Sequence, residues 1–492
     1  MAELDRRTFV AGLGAALGGL LTPPSDAEAP KGGAQPATGT PKGRPNVIVL
    51  ICDDIGFGDL GCYGSQLKTP NLDRMASEGV RLTEYNTPHP LCSAARAALL
   101  TGRYSTRTGA RPVYFPESKD GLNLDEMTLG NVLHDAHYRT MCIGKWHLGS
   151  QPEYLPTRRG FDSYFGVPYS VDMRPLPMMK DEKVLEENTD RSLLTPRYTE
   201  QAVRFVEASK DQPFFLYLAY SYPHIPIDAS PRFKGKSKQG IYGDAVEEID
   251  WSVGEILASL ERNHVDDNTL LIFTGDHGPW YQGSVEQLRG RKGTTYEGGC
   301  RVPFLARWKG VVPAGHVASG FASHLDVVPT VASLCGAKLP VKPVDGANIV
   351  DLLTGRRNEI ERPGMLYFSP LGDAIDLQCI RRDHWKLRIS QFTRSTYVLG
   401  SPVGQNLMLA QPELYNLASD PGENYDVARD YPDVVAQLQK EIESAIATFP
   451  DNVVQAYRAL QKRPASPTTP EASQARPADY VAGPYHYDGN PN

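Results

Sequence analysis

The sequence lacks the features that mark several large classes of protein. It has seven cysteines in 492 residues, and none of them forms a CxxC pair or a spacing typical of a zinc site. Its formal net charge of -7 gives no support to a nucleic-acid partner. No internal repeat is visible, and beyond the N-terminal segment no apolar run is long enough to span a membrane, so we expect no membrane span in the mature chain. The composition that remains, 40% hydrophobic and 22% charged, is that of a globular protein.

The N-terminal segment predicts an export signal followed by a linker. The pair Arg6-Arg7 precedes the apolar run Ala11–Leu21, which is too short for a membrane span but suits the core of a signal peptide. The paired arginines are typical of a twin-arginine signal, which we assign to residues 1–29. Residues 30–45 predict a flexible linker. We therefore expect the twin-arginine export machinery as a partner and a periplasmic location.

Apolar strands alternate with helical patterns from residue 46 to residue 357. Asn46–Cys52 is a continuous apolar, β-branched run, which predicts a strand buried on both faces of a parallel sheet. The other strands are predicted at Tyr138–Ile143, Phe214–Tyr220 and Leu270–Thr274, and helices at Thr69–Gly79, Leu124–His137, Tyr242–Leu260 and Val327–Cys335. The alternation predicts an α/β fold with a mostly parallel sheet, and residues 46–357 form the predicted main domain.

The pattern changes after Arg357 to short strands separated by turns. Strands are predicted at Met365–Phe368, Trp385–Ile389 and Glu413–Leu417, and an amphipathic helix at Asp433–Thr448. We interpret residues 358–462 as a small α+β lobe. Residues 463–492, rich in proline, alanine, serine and threonine, predict a disordered tail.

The candidate polar residues share one placement, since each group follows the carboxyl end of a different predicted strand. These groups are Asp53-Asp54, Lys145 with His147, His224, and Asp276-His277. Ligands in open α/β sheets bind at that edge, so the placement predicts a single site. Two adjacent acids at the end of a buried strand are costly without a cation nearby, and aspartate oxygens suit a hard divalent metal.

Residues 89–103 predict a short helix that presents a nucleophile. Pro90 cannot lie inside a helix, residues 93–100 are good helix formers, and Gly102 suits a C-terminal stop. Cys92 should therefore lie at the N-terminal end, where backbone N–H groups favour an anion. Arg96 is one turn further and shares a face with Cys92. This combination indicates a site for a tetrahedral oxyanion.

The stretch Cys92-Ser93-Ala94-Ala95-Arg96, followed by Thr101-Gly102-Arg103, resembles the signature of the type I sulfatases of the alkaline phosphatase superfamily. Gly144-Lys145-Trp146-His147 is similar to the second family signature, which usually opens with glycine where this chain has His137. The resemblance covers most of residues 46–425 and looks closest to the arylsulfatase A and N-acetylgalactosamine-6-sulfatase group. It implies an alkaline-phosphatase-like fold: a large mixed, mostly parallel sheet sandwiched by helices, and a small C-terminal lobe with an antiparallel sheet.

The resemblance also implies the members of the site and their roles. The implied metal ligands are Asp53, Asp54, Cys92, Asp276 and His277, the catalytic residues Cys92, Arg96, Lys145, His147, His224 and Lys292, and the substrate-binding residues Lys145, His224, Lys292 and Ser170. The resemblance favours Ca²⁺, but His277 offers nitrogen where asparagine is common, which leaves Mg²⁺ or Mn²⁺ open. Cys92 is implied to be oxidised to Cα-formylglycine, by a formylglycine-generating or radical maturation enzyme.

Three functions agree with these residues. The first is hydrolysis of sulfate monoesters, of aryl or carbohydrate type, with His224 protonating the leaving alcohol and His147 acting as the base that releases sulfate. The second is hydrolysis of phosphonate monoesters or phosphodiesters by the same chemistry. The third is a non-catalytic binder of sulfated glycans that kept the fold.

Overall fold

A computed structural model of the chain describes residues 43–369, 375–392, 405–463 and 465. Contacts within the chain divide it into Met1–Gln35 and Pro36–Asn492, and every described residue belongs to the second unit. The predicted signal peptide and almost all of the predicted linker and tail lie outside the described residues. No helix in the described ranges is both long enough and apolar enough to cross a membrane.

The described residues form strands β1 to β16. In chain order these are Asn46–Cys52, Val80–Leu82, Tyr85–Asn86, Arg139–Gly144, Ser163–Gly166, Met178–Lys180, Lys183–Glu186, Phe214–Ala219, Thr269–Gly275, Phe304–Arg307, His316–Ala318, Ala322–Ser323, Met365–Phe368, Leu377–Arg382, Trp385–Phe392 and Asn406–Asn416.

The helices α1 to α11 lie between and after these strands. In chain order they are Pro70–Ser77, Cys92–Thr101, Ser105–Thr108, Leu129–Asp135, Leu194–Ser209, Gly240–Arg262, Glu297–Cys300, Val327–Cys335, Val350–Leu353, Pro432–Ile446 and Asp451–Leu460. Short 3₁₀ turns occur at Gly61–Tyr63, Pro152–Tyr154, Pro156–Arg158, Arg191–Leu193, Asp266–Asn268 and His324–Asp326.

The main sheet has ten strands in the order β11-β2-β10-β9-β1-β8-β4-β5-β6-β7. Its centre, from β9 through β1, β8 and β4 to β5, is parallel throughout. Antiparallel pairs join β10 to β9 and β2 on one side, and β6 to β5 and β7 on the other. The predicted large, mixed and mostly parallel sheet is therefore confirmed.

The central strand β1 shows why this sheet has a hydrophobic core on each face. Val47, Val49 and Ile51 pack in one core cluster, whereas Ile48 and Leu50 pack in another. Alternate side chains of a strand point to opposite faces, so a strand covered on both sides must be apolar at every position. The continuous apolar run of β1 meets this requirement.

The C-terminal lobe is the predicted small antiparallel sheet with helices. Its four strands run in the order β13-β14-β15-β16, and each neighbouring pair is antiparallel. Leu438 and Ile442 of α10 and Val453 of α11 pack on it. The same core cluster includes Ala98 of α2, so the lobe packs directly against the helix that begins at Cys92.

Two predicted helices differ from the observed ones. The predicted helix Leu124–His137 begins only at Leu129, because Thr128 is its N-cap and accepts a hydrogen bond from the Asn131 N–H. The predicted helix Thr69–Gly79 is observed as Pro70–Ser77, and Thr69 stands at its N-cap position without a side-chain capping hydrogen bond. Asp250 of α6 instead accepts from the N–H groups of Asn71 and Leu72 at the start of that helix.

Candidate functional site

Four neighbouring strands end at one edge of the main sheet, and the predicted polar residues lie just beyond them. Asp53 and Asp54 follow β1, Lys145 follows β4, and Asp276 follows β9. His224 lies five residues beyond Ala219, the last residue of β8. The order β9-β1-β8-β4 places these groups side by side, as expected for parallel strands.

Helix α2 brings Cys92 into this edge. Every residue of the helix is buried, and Gly102 ends it in the left-handed conformation at φ +66°. Cys92 is the first helical residue, with 2% of its surface exposed. Its Sγ lies 3.7 Å from Asp53 Oδ1 and 3.4 Å from His277 Nε2. The thiol therefore contacts one residue of Asp53-Asp54 and one residue of Asp276-His277.

Asp53-Asp54 and Asp276-His277 form one buried cluster, which we call the acidic cluster. Asp53, Asp54 and Asp276 are at most 1% exposed, and the Asp54 N–H donates to Asp276 Oδ1 at 3.2 Å. Asp54 holds a φ of +67°, unusual for a non-glycine residue and typical of strained functional positions. His277 Nδ1 lies 2.9 Å from the Gly278 carbonyl oxygen, so the other ring nitrogen, Nε2, faces the carboxylates. Nε2 lies 3.6 Å from Asp54 Oδ1 and 3.7 Å from Asp276 Oδ1.

These donors fit a divalent cation. Ligand atoms of Asp53, Cys92, Asp276 and His277 all lie within 4.8 Å of one another, and so do those of Asp53, Asp54, Cys92 and His224. Three carboxylates without exposure to water need positive charge, and carboxylate oxygens with one imidazole nitrogen are ligands of hard and intermediate metals. The structure thus brings together all five residues predicted as metal ligands.

Three cationic side chains contact the same carboxylates. Lys145 Nζ donates to Asp53 Oδ2 at 2.6 Å, and Lys292 Nζ donates to both carboxylate oxygens of Asp54, at 2.8 and 2.9 Å. Arg96 donates from Nε and Nη2 to Asp276 Oδ2, at 3.2 and 3.0 Å, and its Nη2 lies 3.5 Å from Asp53 Oδ1. The site therefore combines high charge of both signs with almost complete burial.

Burial and neighbouring charge shift the pKa values of the acids in different directions. Burial raises the pKa of Asp53 and Asp54, but nearby cations, led by Lys145 for Asp53 and by Lys292 for Asp54, outweigh it and lower both. Burial dominates at Asp276 and raises its pKa. Burial lowers the pKa of Lys292, yet the Asp54 carboxylate outweighs it and raises that pKa well above its usual range.

The two catalytic histidine candidates have opposite character. His147 Nε2 lies 2.9 Å from the Tyr114 carbonyl oxygen and so carries the proton, whereas Nδ1 is buried with no hydrogen-bond partner among the described residues. Burial and the Lys145 charge lower its pKa well below the usual range, so the ring is neutral. Burial and Lys292 also lower the pKa of His224, but Asp54, Asp53 and Asp172 outweigh them and raise it to about 9.

His224 is oriented toward Asp54 by a hydrogen bond to the backbone of the next residue. Its Nδ1 lies 2.5 Å from the Ile225 carbonyl oxygen, and its Nε2 lies 3.9 Å from Asp54 Oδ2. Nε2 thus faces the site, next to the carboxylate that Lys292 binds. Ser170, the remaining predicted residue, accepts a hydrogen bond from Lys145 Nζ at 3.0 Å and so contacts the same ammonium group as Asp53.

Sequence reasoning missed two residues that hold the site in place. Tyr114 provides the carbonyl that fixes His147. His324 Nε2 lies 3.0 Å from the Asp276 carbonyl oxygen, and burial lowers its pKa to about 3. Tyr114 acts through its backbone and His324 precedes a helix far along the chain, so neither carries a local pattern that would have revealed it.

Comparisons with known proteins agree with this geometry. The sulfatase family model matches residues 45–337. Human arylsulfatase A (Homo sapiens) is 34% identical over 458 residues, covering 83% of this chain and 90% of that protein. Human N-acetylgalactosamine-6-sulfatase is 37% identical over 436 residues, covering 80% and 83%. Among solved structures, Ps i-CgsB in complex with k-i-k-neocarrahexaose has a TM-score of 0.69 at 30% identity, covering 82% of this chain and 92% of that chain.

Proposed function

Because this chain belongs to the sulfatase family and is a sulfuric ester hydrolase, we propose that it hydrolyses sulfate monoesters at the site around Cys92, with that residue oxidised to Cα-formylglycine. The observation that supports this proposal most directly is the position of Cys92 Sγ, 3.7 Å from Asp53 and 3.4 Å from His277, at the start of a buried helix. A nucleophile, a metal-type donor cluster and fixed cations meet there.

Formylglycine at position 92 and a divalent cation would each supply a part of the chemistry. Formylglycine, as its hydrate, would provide a hydroxyl nucleophile and a second hydroxyl that allows sulfate to be released, which a thiol does not. A divalent cation held by Asp53, Asp54, Asp276 and His277 would supply positive charge beside the nucleophile and the sulfate oxygens. Oxygen donors and the family resemblance favour Ca²⁺, with Mg²⁺ or Mn²⁺ as alternatives because His277 donates nitrogen.

The cationic side chains would bind and orient the sulfate. An ammonium has three N–H groups; Lys145 uses two of them on Asp53 and Ser170, and Lys292 uses two on Asp54. Each lysine therefore keeps one N–H for a sulfate oxygen. Arg96 fixes the Asp276 carboxylate and adds positive charge, which stabilises the charge that develops during sulfuryl transfer.

The histidines would move the protons. His224, with its raised pKa, carries a proton at Nε2 and gives it to the leaving alcohol. His147 is neutral, and its unpartnered Nδ1 accepts the proton whose removal releases sulfate. The surroundings of the two histidines thus shift their pKa values in opposite directions, since carboxylates lie near His224 and Lys145 lies near His147.

The test of this function is Cys92→Ala. We expect the variant to lose hydrolysis of 4-nitrophenyl sulfate while it keeps its fold by circular dichroism. Cys62→Ala is the matched control, because Cys62 is half-buried outside the site, and it should retain activity. Mass spectrometry of the peptide carrying Cys92 should show a loss of about 18 Da, since conversion exchanges the thiol and one hydrogen for a carbonyl oxygen. Activity in Cys92→Ala would refute the proposal.

The substrate, maturation and location complete the proposal. The names of the relatives support an aryl or carbohydrate sulfate as the substrate class. Conversion of Cys92 requires a formylglycine-generating or radical maturation enzyme as a partner. The Arg6-Arg7 pair supports export through the twin-arginine machinery to the periplasm.

A further inference from the structure

The residue after Cys92 is attached to the chain segment that holds the proposed base. Ser93 lies in the first turn of α2 and is fully buried. Its backbone N–H donates to the Pro112 carbonyl oxygen at 3.0 Å, and its Oγ accepts from the Tyr114 N–H at 3.3 Å. Two hydrogen bonds therefore fasten residues 112–114 to the start of the helix that presents Cys92.

Tyr114 makes hydrogen bonds through three of its groups. It is buried, its hydroxyl oxygen accepts from the Arg111 N–H at 3.2 Å, and its own N–H donates to Ser93. Its carbonyl oxygen lies 2.9 Å from His147 Nε2 and accepts from it. Because only two soft dihedral angles separate the N–H and the carbonyl of one residue, a restraint on the N–H also restrains the direction of the carbonyl.

The ring of His147 depends on that carbonyl. The backbone of the residue is fixed, since its N–H donates to the Pro168 carbonyl oxygen at 3.0 Å, but this contact does not set the rotation of the side chain. Within the described ranges Nδ1 has no hydrogen-bond partner, so the Tyr114 carbonyl is the acceptor that orients the ring. A general base acts only when its accepting nitrogen lies within reach of the proton that it removes.

We propose that the Ser93 hydroxyl is a positioning group for His147: through Tyr114 it holds the ring in the orientation in which Nδ1 accepts its proton. The proposal rests on the sulfatase function proposed above and adds a residue to it. Ser93 contacts Tyr114 and not His147, so it is a positioning residue and not a catalytic one. The nucleophile and its base are thereby tied to the same turn of α2.

The release of sulfate is the step that this arrangement should affect. In the proposed reaction His147 accepts its proton as sulfate is released, after the alcohol has departed. The ratio kcat/KM reports the steps up to departure of the alcohol, whereas kcat also includes the release of sulfate. A base that is less well oriented should therefore lower kcat and KM together and leave kcat/KM nearly unchanged. A general loss of structure would lower kcat/KM as well.

The experiment compares Ser93→Ala with wild type on 4-nitrophenyl sulfate. The substitution keeps the backbone hydrogen bond to Pro112, so we expect the fold to remain. Because Ser93 adjoins Cys92, the converted fraction of each protein is measured by mass spectrometry and the rates are divided by it. We expect kcat to fall about tenfold and KM to fall by a similar factor, because part of the contribution of a general base is lost. A burst of 4-nitrophenol, equal to the amount of converted enzyme, should precede the slow phase.

Ser209→Ala is the matched control. Ser209 is also a buried serine, but it lies at the end of α5 and its Oγ has no hydrogen-bond partner in the part of the chain that the structure describes. The control should keep the kcat and KM of wild type and show no burst.

Nuclear magnetic resonance of protein labelled with ¹⁵N-histidine gives a readout that is independent of turnover. It uses protein in which Cys92 is not converted, and the His147 signal is assigned from its loss in His147→Gln. The Nε2–H of His147 is buried against a carbonyl oxygen and should exchange slowly with solvent. In Ser93→Ala we expect this exchange to be about tenfold faster, because the Tyr114 carbonyl is less firmly held.

Three results would overturn the proposal. The first is an unchanged kcat in Ser93→Ala. The second is an equal fall in kcat and kcat/KM, which would mean that Ser93 acts on the nucleophile or on the structure as a whole. The third is exchange of the His147 Nε2–H at the wild-type rate. Failure of the sulfatase function itself is seen separately, as an absence of turnover of sulfate esters by the wild-type enzyme.

Discussion

Asp53 shows at the scale of a single residue how the site depends on compensated charge. Its carboxylate contacts Lys145, Arg96 and the Cys92 thiol, and none of its surface is exposed. A buried charge without its partner costs far more folding free energy than the intact buried ion pair. Conservative changes among these residues should therefore affect folding as well as activity, and the histidines offer cleaner tests of chemistry.

His224→Ala should reduce turnover most for esters whose alcohol is a poor leaving group. A general acid contributes about 10²–10⁴-fold, and this contribution shrinks as the departing phenol becomes more acidic. Steady-state kinetics on a series of aryl sulfates with phenols of rising pKa measures the trend. His384→Ala changes an exposed histidine of the C-terminal lobe and should leave the series unchanged. An equal loss of turnover for all the aryl sulfates would show that His224 is not the general acid.

At the scale of elements, the sequence predicts best where local pattern and tertiary environment agree. Strand β1 and helix α8 have the predicted bounds, Asn46–Cys52 and Val327–Cys335, because their apolar runs are buried as their pattern requires. The shared edge of the polar residues followed from the strands alone. The cap of α1 could not be predicted, since Asp250 lies 179 residues from Asn71. Likewise no local pattern shows that Lys145 binds Asp53 or that Tyr114 holds His147.

The turn before β4 contains His137, a non-glycine residue in the left-handed conformation. His137 has a φ of +63° in the turn before β4, at the position where the family signature usually has glycine. Glycine adopts this conformation without steric cost, and histidine only at some cost. Histidine adopts the left-handed conformation here, and β4, the strand that leads to Lys145, begins two residues later at Arg139.

The short helix α7 anchors the C-terminal lobe, and Glu297→Gln should weaken that anchor. Glu297 accepts from Lys386 and Arg381 at 3.0 Å each and from Arg301 at 2.8 Å, fully buried. Burial raises its pKa, but the cations, led by Lys386, outweigh it and hold the pKa well below its usual value. We expect the variant to lose about 3 kcal/mol of unfolding free energy at pH 7.

The pH dependence of that loss gives a second test. Because the folded pKa of Glu297 lies below the unfolded one, its stabilisation is complete above the unfolded pKa and is lost as pH falls toward the folded pKa. The gap between wild type and variant should therefore narrow below about pH 4.5 in urea denaturation. Glu441→Gln changes a partly exposed pair with Arg382 and should cost less than about 1 kcal/mol. If the difference in unfolding free energy between wild type and Glu297→Gln stayed constant with pH, the lowered pKa of Glu297 would be contradicted.

At the scale of the whole molecule, the site is assembled from segments that span residues 53 to 292, and a ligand common to them should stabilise the fold. A chelator should abolish activity and lower Tm, and millimolar Ca²⁺ should restore both, because a metal that binds only the folded state adds about 2.7 kcal/mol at a hundredfold excess over its Kd. Differential scanning fluorimetry with Ca²⁺, Mg²⁺ and Mn²⁺ ranks the ions. Asp276→Asn should abolish the response, whereas Asp135→Asn, at an exposed site, should keep it. The same Tm shift in Asp276→Asn would contradict the predicted ligand set.

Export should depend on the paired arginines. Replacement of both Arg6 and Arg7 by lysine should retain the protein in the cytoplasm, because recognition by the twin-arginine machinery requires the pair. Cell fractionation and immunoblotting measure this. Lys31→Arg in the predicted linker should leave export intact. If the variant with both arginines replaced still reached the periplasm, residues 1–29 would not act as a twin-arginine signal.

The burial of Cys92 sets an order of events for biogenesis. With 2% of its surface exposed, in a helix covered on one side by the sheet edge and packed on the C-terminal lobe, the thiol is beyond the reach of another protein once the chain has collapsed. If Cys92 is oxidised as proposed, its maturation enzyme must capture a nascent or still open polypeptide. A molecule that folds first would keep the thiol and lack this nucleophile, so the yield of active enzyme would depend on the relative rates of oxidation and folding.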